Sequence, residues 1–415
     1  MTRTTFFTIF FATLIHLILP LSAAAEGPEG VPEPRYMFVT SATGNGDLGS
    51  WPESGGATGL IAGDTICRTL ALQQGLPNAI EYRAWLSDFF NDAFCRIRGF
   101  GGLKSNNCGQ AFLSANGPWT RLDGVPFSGD LFALIANGPL TTAIIDETGQ
   151  PTTLDLVYSG TNADGTRQPN RCLNWTSNSA SEYGEGGTQT STYNSWTQNS
   201  QISCALAVRL MCFDPGLPAD PLAHETEPAG LVFVTSAQGN GDLSSWPLAG
   251  GLNGTAGADA VCRQSAAAAG LPFPQSYVAW LSAPGDSVVD ALPADLPWRR
   301  LDGVRVADSL SDLTRGALQA PINVDEQGIY GATSVWTGTY ESGQPTGSHC
   351  SEWSSADSNL LAHRGFSNRA NYQWSRSSLV YCDQENHGLY CFSTVVATPD
   401  IFADGFESGD TFTWD

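Results

Sequence analysis

The sequence predicts two tandem domains, each mixing helix with strand and each stapled by disulfides. Three observations carry that expectation: a long internal repeat, ten cysteines shared between the copies, and a cysteine on an early helix matched by one on a late strand in each copy.

The repeat comes first. Phe38 to Trp51 reads FVTSATGNGDLGSW and Phe233 to Trp246 reads FVTSAQGNGDLSSW, an agreement at 12 of 14 positions with an offset of 195. The same offset relates Cys67 to Cys262 and Ala84-Trp85-Leu86-Ser87 to Ala279-Trp280-Leu281-Ser282. From Arg121-Leu122-Asp123-Gly124-Val125, matched by Arg300 to Val304, the offset falls to 179, so the first copy holds 16 extra residues. Cys95 and Cys108 lie in that insertion. Two large copies are tandem domains rather than solenoid units, which are short and share one core. The stretch 215–229, rich in proline and small residues, reads as a linker between a domain at 36–214 and a second at 230–393. Residues 394–415 form an acidic tail outside the repeat, expected to be a frayed terminus or a sorting or attachment segment.

Export is expected from residues 1–25. Arg3 precedes an apolar run from Phe6 to Leu21, and Ala23-Ala24-Ala25 offers a small-residue cleavage site, the pattern of a signal peptide. The run is short for a membrane span, and no later stretch is apolar enough to cross a bilayer, so no transmembrane segment is expected. Location outside the cytosol, as a secreted, cell-surface or periplasmic protein, agrees with the cysteine content. Nucleic acid is excluded as a partner, because the formal net charge is -22 and Lys104 is the sole lysine.

The first copy carries Cys67, Cys172, Cys204 and Cys212, and the second carries Cys262, Cys350, Cys382 and Cys391 at matching places. Four cysteines allow three pairings. Gly257 to Ala269 reads as a helix that stops at Gly270 and Pro272, with Cys262 on it. The segments Ala205 to Phe213 and Gly388 to Phe392 read as strands carrying the last cysteine. Joining that helix to that strand favours the nested pairing, and so long a bridge contributes on the order of 4 to 5 kcal/mol in the chain-entropy account. Cys95 and Cys108 are the extra pair. No C-x-x-C pair occurs, and no metal or other cofactor is expected.

Several blocks of the second copy resemble endostatin, the globular C-terminal domain of certain collagens: Gly257-Ala258-Asp259 before Cys262, Ala279-Trp280-Leu281-Ser282, Val335-Trp336-Thr337-Gly338, Cys350-Ser351-Glu352-Trp353 and Leu389-Tyr390-Cys391. The first copy is similar through Tyr158-Ser159-Gly160, Cys172-Leu173-Asn174-Trp175 and Leu210-Met211-Cys212. Both copies look closer still to a family of exported bacterial domains of unknown function with that fold. The resemblance implies an α+β, C-type lectin-like (endostatin-like) fold for each copy, with first-to-fourth and second-to-third cysteine pairing. The histidine cluster that holds zinc in endostatin has no counterpart here. Of the calcium motif of true C-type lectins, the first copy offers Gln168-Pro169-Asn170 without the later Asn-Asp pair.

The stretch Cys172 to Cys204 sets aromatics among Ser, Thr, Asn and Gly with almost no charge, a mixture suited to ligand contact. Tyr183, Tyr193 and Trp196 are its candidate ligand-binding residues, with Tyr372, Trp374 and the added Arg369 in the second copy. Trp175 and Trp353, three residues after a bridged cysteine, are expected in the core. Gly44-Asn45-Gly46-Asp47 and its partner Gly239-Asn240-Gly241-Asp242 are expected to form tight turns, with Trp51 and Trp246 as packing residues. The first copy has no histidine and no cysteine is left over as a nucleophile, so the chain is expected not to be an enzyme. The expected function is non-catalytic binding or adhesion to an extracellular glycan or protein. A secreted carboxylate-dependent hydrolase and a structural envelope protein are the alternatives.

Overall fold

The structure is a computed structural model that describes residues 35–113, 116–152, 155–216 and 228–397. The signal segment 1–25, most of the 215–229 linker and residues 398–415 of the tail lie outside the described residues.

Each half combines a long helix with two small sheets, an α+β arrangement. The first half has strands β1 (Tyr36–Val39), β2 (Arg83–Ala84), β3 (Trp119–Arg121), β4 (Pro126–Ser128), β5 (Leu156–Tyr158), β6 (Tyr183–Thr188), β7 (Ser200–Ser203) and β8 (Met211–Phe213). The second has β9 (Gly230–Val234), β10 (Tyr277–Ala279), β11 (Trp298–Arg300), β12 (Arg305–Ala307), β13 (Ser334–Trp336), β14 (Leu361–Phe366), β15 (Ser378–Tyr381), β16 (His387–Gly388) and β17 (Tyr390–Ser393). The larger sheets run β2-β8-β1-β3-β4 and β10-β17-β9-β11-β12, the same order built twice. The smaller ones run β5-β6-β7 and β15-β14-β13-β16.

Both faces of each larger sheet are covered, which is why its central strands read as continuous apolar runs rather than alternating ones. In the first half, Phe38, Ala84 and Cys212 face the helix Gly59–Gln73, while Met37, Val39, Met211 and Phe213 pack with Trp85, Trp119 and Trp196 on the opposite side. The helix offers Ala62, Ile66 and Leu70 beside Gly63, Cys67 and Ala71, two rows at four-residue spacing that form one apolar stripe. The helix Gly254–Ala268 repeats this with Ala258, Val261, Cys262 and Ala266.

Five disulfides staple the chain: Cys67–Cys212, Cys95–Cys108 and Cys172–Cys204 in the first half, and Cys262–Cys391 and Cys350–Cys382 in the second. In each half the longest bridge ties the helix to an interior strand of the larger sheet, β8 or β17, and none crosses between the halves.

The most similar block of the repeat owes its glycines to close packing. A Cβ on Gly46 would lie 2.4 Å from the Cys172 sulfur, and one on Gly241 would lie 2.4 Å from that of Cys350. Asn45 Oδ1 accepts from the Asp47 amide at 3.0 Å and the Trp51 indole donates to the Asn45 carbonyl at 2.9 Å; Asn240, Asp242 and Trp246 repeat both bonds. The block is a tight turn pinned between a buried indole and a disulfide.

Candidate functional site

The residues from Cys172 to Trp175 form a single turn of left-handed helix, with φ of 46°, 52°, 58° and 67°. Cys350 to Trp353 form the same turn, with φ of 49°, 52°, 57° and 62°. None of these residues is glycine. Each such residue costs roughly 1–2 kcal/mol relative to the right-handed conformation, so the surrounding contacts must impose the shape. They do so from both ends. The first residue is held by its disulfide, and the last buries an indole whose N–H donates to a carbonyl: Trp175 to Ser87 at 2.8 Å, Trp353 to Ser282 at 2.9 Å. Within the turn, the Trp175 amide donates to the Arg171 carbonyl and the Trp353 amide to that of His349, both at 2.8 Å.

Between these anchors the middle two residues project outward. They are Leu173 and Asn174 in one half and Ser351 and Glu352 in the other, and Leu173 is 62% exposed. Leu173 contributes strain without a buried contact in return. Leu173→Gly is therefore expected to stabilise the fold by about 0.5 kcal/mol after the entropy of glycine is offset, seen as a slightly higher melting temperature in thermal unfolding.

Around the first of these turns lies a shallow cleft of about 190 Å³, lined by Pro169, Asn170, Arg171, Leu173, Asn174, Glu182 and Tyr183. Asn174 Oδ1 organises it, accepting from the Phe89 amide at 3.1 Å and from Arg171 Nε at 3.3 Å. Phe89 and Phe90 stand beside it, 55% and 70% exposed, their rings edge to face at 5.0 Å. Asp88 Oδ1 fixes their loop by accepting from the amides of Phe90 and Asn91 at 2.8 and 2.7 Å. The Arg167 guanidinium lies 5.6 Å from the Phe89 ring centre. Burial pulls the Arg171 guanidinium below its usual range, and the nearby Arg167 charge adds to that. In the second half the offset of 178 between Cys172 and Cys350 places Ser348, His349, Leu360 and Leu361 where the first has Asn170, Arg171, Glu182 and Tyr183. His349 Nδ1 accepts from the Glu352 amide at 2.8 Å, a bond local to this copy.

No protein-family model and no curated protein matches this chain.

The structure separates the residues singled out in the sequence. Tyr183, 46% exposed, lines the cleft at the start of β6. Tyr193 and Tyr372, 39% and 48% exposed, lie beyond the far ends of β6 and β14, roughly 17 Å of strand away. Trp196 and Trp374 are corrections. They are 1% and 0% exposed and pack on Trp85 and Trp280 at 4.9 and 4.7 Å between ring centres, which removes both from the contact surface. Their turns close over glycine: a Cβ on Gly187 or Gly365 would sit 1.9 or 1.8 Å from the carbonyl oxygen of Trp196 or Trp374. Arg369 is half-buried opposite Ser191 of the first half, so it too leaves the ligand surface. Trp175 and Trp353 are in the core. Phe89, Phe90 and the left-handed turns were not read from the sequence. The adjacent pair of phenylalanines among Asp and Asn was the one available signal.

The second half presents a different outer face. Leu361 pairs with Tyr381 and His363 with Leu379 across β14 and β15, so these four side chains share one side of the hairpin. Leu361, Leu379 and Tyr381 are exposed, and Arg376 lies 4.9 Å from the Tyr340 ring nearby. Burial lowers the His363 imidazole, and the Arg376 charge lowers it further. At the equivalent place the first half carries Glu185, whose carboxyl is raised by burial.

Proposed function

We propose that the chain is an exported, non-catalytic binding or adhesion protein built from two endostatin-like, C-type lectin-like domains. The observation that carries this reading is one strained backbone frame repeated in both halves with different side chains at its tip. Leu173-Asn174 becomes Ser351-Glu352, and the cleft lining changes with it, while the cystine, the buried tryptophan and the glycine turn behind them stay the same. Strain that is maintained in two copies while the exposed residues diverge suits presentation, since a fixed scaffold spares a ligand the entropy of ordering the surface it meets.

In the first half the contact chemistry is Tyr183, Phe89 and Phe90 for ring stacking, with Asn170, Arg171, Asn174 and Glu182 for hydrogen bonds. That combination in a shallow cleft suits a glycan or an extended segment of an extracellular protein. The five disulfides agree with a location in an oxidising compartment, secreted, periplasmic or at the cell surface.

The test is an array of glycans and extracellular matrix proteins probed with the full chain and with a Tyr183→Ala, Phe90→Ala double variant. The variant is expected to lose at least about tenfold in affinity for whatever the chain retains, since two exposed rings are removed from the contact. Affinity unchanged by the double substitution would place the contact elsewhere.

A further inference from the structure

The two halves meet through contacts that come in reciprocal pairs. The Thr192 amide donates to the Asn368 carbonyl at 3.0 Å, and the Ala370 amide donates to the Thr190 carbonyl at 3.1 Å. By the offset of 178, Ala370 is the counterpart of Thr192 and Asn368 that of Thr190, so each bond is the image of the other. Ser191 and Arg369, also counterparts, stand directly opposite each other in an antiparallel bridge. The arginines of the repeated R-L-D-G-V block behave likewise. Arg121 Nη1 reaches the Gln319 carbonyl at 3.4 Å, and Arg300 Nη1 hydrogen-bonds the carbonyl of Leu140, the counterpart of Gln319.

Residue i touching j′ while j touches i′ is the signature of an isologous, two-fold contact, here made within one chain. The contact is also well buried: Arg121, Arg300, Ser191 and Thr192 are each at most 1% exposed. Side chains add bonds to it, from Asn371 Nδ2 to Thr190 Oγ1 at 3.2 Å and from Asn323 Nδ2 to Thr192 Oγ1 at 3.1 Å.

We propose that this surface is a permanent clamp, so that the partner each half is built to fit is the other half and the pair holds together without the linker. The chain is then an internal pseudo-dimer, with its two left-handed turns in a fixed, two-fold-related arrangement. The proposal stands on the interface alone and needs no ligand, so it and the binding reading can fail separately.

The experiment uses the full chain with a protease recognition site inserted between Ala219 and Asp220. No disulfide joins the halves, so after cleavage only non-covalent contacts remain. The nicked protein is expected to elute from a sizing column at the volume of the uncut chain at micromolar concentration. Ser191→Arg supplies the control, because Arg369 shows that the same turn accepts an arginine while the bridge would then set two like charges face to face. Nicked Ser191→Arg halves are expected to separate, with affinity reduced by about 100-fold or more, while uncut Ser191→Arg keeps its near-ultraviolet circular dichroism. Asn371→Ala, which removes one side-chain bond across the interface along with a local one from the Gln373 amide, is expected to weaken the nicked pair about tenfold. Separation of the unsubstituted halves on cleavage, or continued association at full affinity in both variants, would overturn the clamp.

Discussion

Arg96→Ala is expected to destabilise the first half by about 3–5 kcal/mol, whereas Arg263→Ala is expected to cost the second half about 1 kcal/mol or less. The contrast follows from one carboxylate held in two ways. Asp64 and its counterpart Asp259 both sit on the cysteine-bearing helix and accept from the first amide of a short block, Ala84 at 3.0 Å and Ala279 at 2.8 Å. In the second half the cation is Arg263, one helical turn on and 3.2 Å away, with both side chains partly in water. The Asp259 carboxyl is accordingly raised by burial, with only partial relief from its hydrogen bond and from Arg263.

In the first half the cation comes from the insertion. The short helix Ala93–Arg96, stapled by Cys95–Cys108, swings Arg96 into the core, where it is 4% exposed and pairs with Asp64. Its Nη1 also donates to the carbonyls of Ala84 and Leu86 at 2.8 and 2.7 Å. Truncating it leaves the buried Asp64 carboxylate without its close cation and takes this donor from the Leu86 carbonyl, while the Ala84 carbonyl keeps the Leu86 amide at 2.8 Å; Arg83 reaches Asp64 only at 3.5 Å from a more exposed position. Urea unfolding of the two variants measures the difference. The double variant Asp64→Asn, Arg96→Met is expected to recover much of the loss, because asparagine keeps the acceptor for Ala84 and removes the stranded charge. Equal costs for Arg96→Ala and Arg263→Ala would show that the insertion does not supply this pair.

That insertion illustrates where sequence reasoning reaches. Its existence, the offset change and its extra cystine are plain in the chain, because cysteines and exact repeats are signals that need no third dimension. Its purpose was not legible, since nothing local ties Arg96 to Asp64, 32 residues earlier in the chain. The helix carrying Cys262 was readable because its run of helix formers ends at Gly270 and Pro272, a stop signal written locally in the chain. The left-handed turns were not, because Cys-Leu-Asn-Trp and Cys-Ser-Glu-Trp contain no glycine and their shape is imposed by a distant cystine and a distant carbonyl. Trp196 and Trp374 misled for a related reason. Indoles among Ser, Asn and Thr look like surface residues, and only the close approach of each indole's turn to a glycine of the strand before it, Gly187 in β6 and Gly365 in β14, folds each one inward. The reciprocal interface was hidden by divergence: Ser191 and Arg369 occupy the same place in the two copies and share no chemistry.

Divergence at one further position makes the stability of the second half sensitive to mild acid. Gly44 bridges to Val208 in the first half and Gly239 to His387 in the second, so the histidine occupies a valine site. It is 0% exposed, stacks on Trp336 with 4.1 Å between ring centres, and neither ring nitrogen has a hydrogen-bond partner among the described residues. Burial pulls its imidazole down to about 4, and the Arg364 charge adds to the effect. In the unfolded chain the same ring titrates near about 6.5. Between those values the unfolded state binds the extra proton, so stability present above about pH 6.5 is lost as pH falls toward 4, to a total of about 3 kcal/mol. His387→Val removes that dependence with the residue the first half already uses. Chemical unfolding from pH 7.5 to 4.5 is expected to show the variant within about 1 kcal/mol of the parent at the upper end and about 2–3 kcal/mol more stable at the lower. His363 and the carboxylates titrate in both proteins and cancel in the difference, so parallel curves would mean that the buried ring does not govern the acid response.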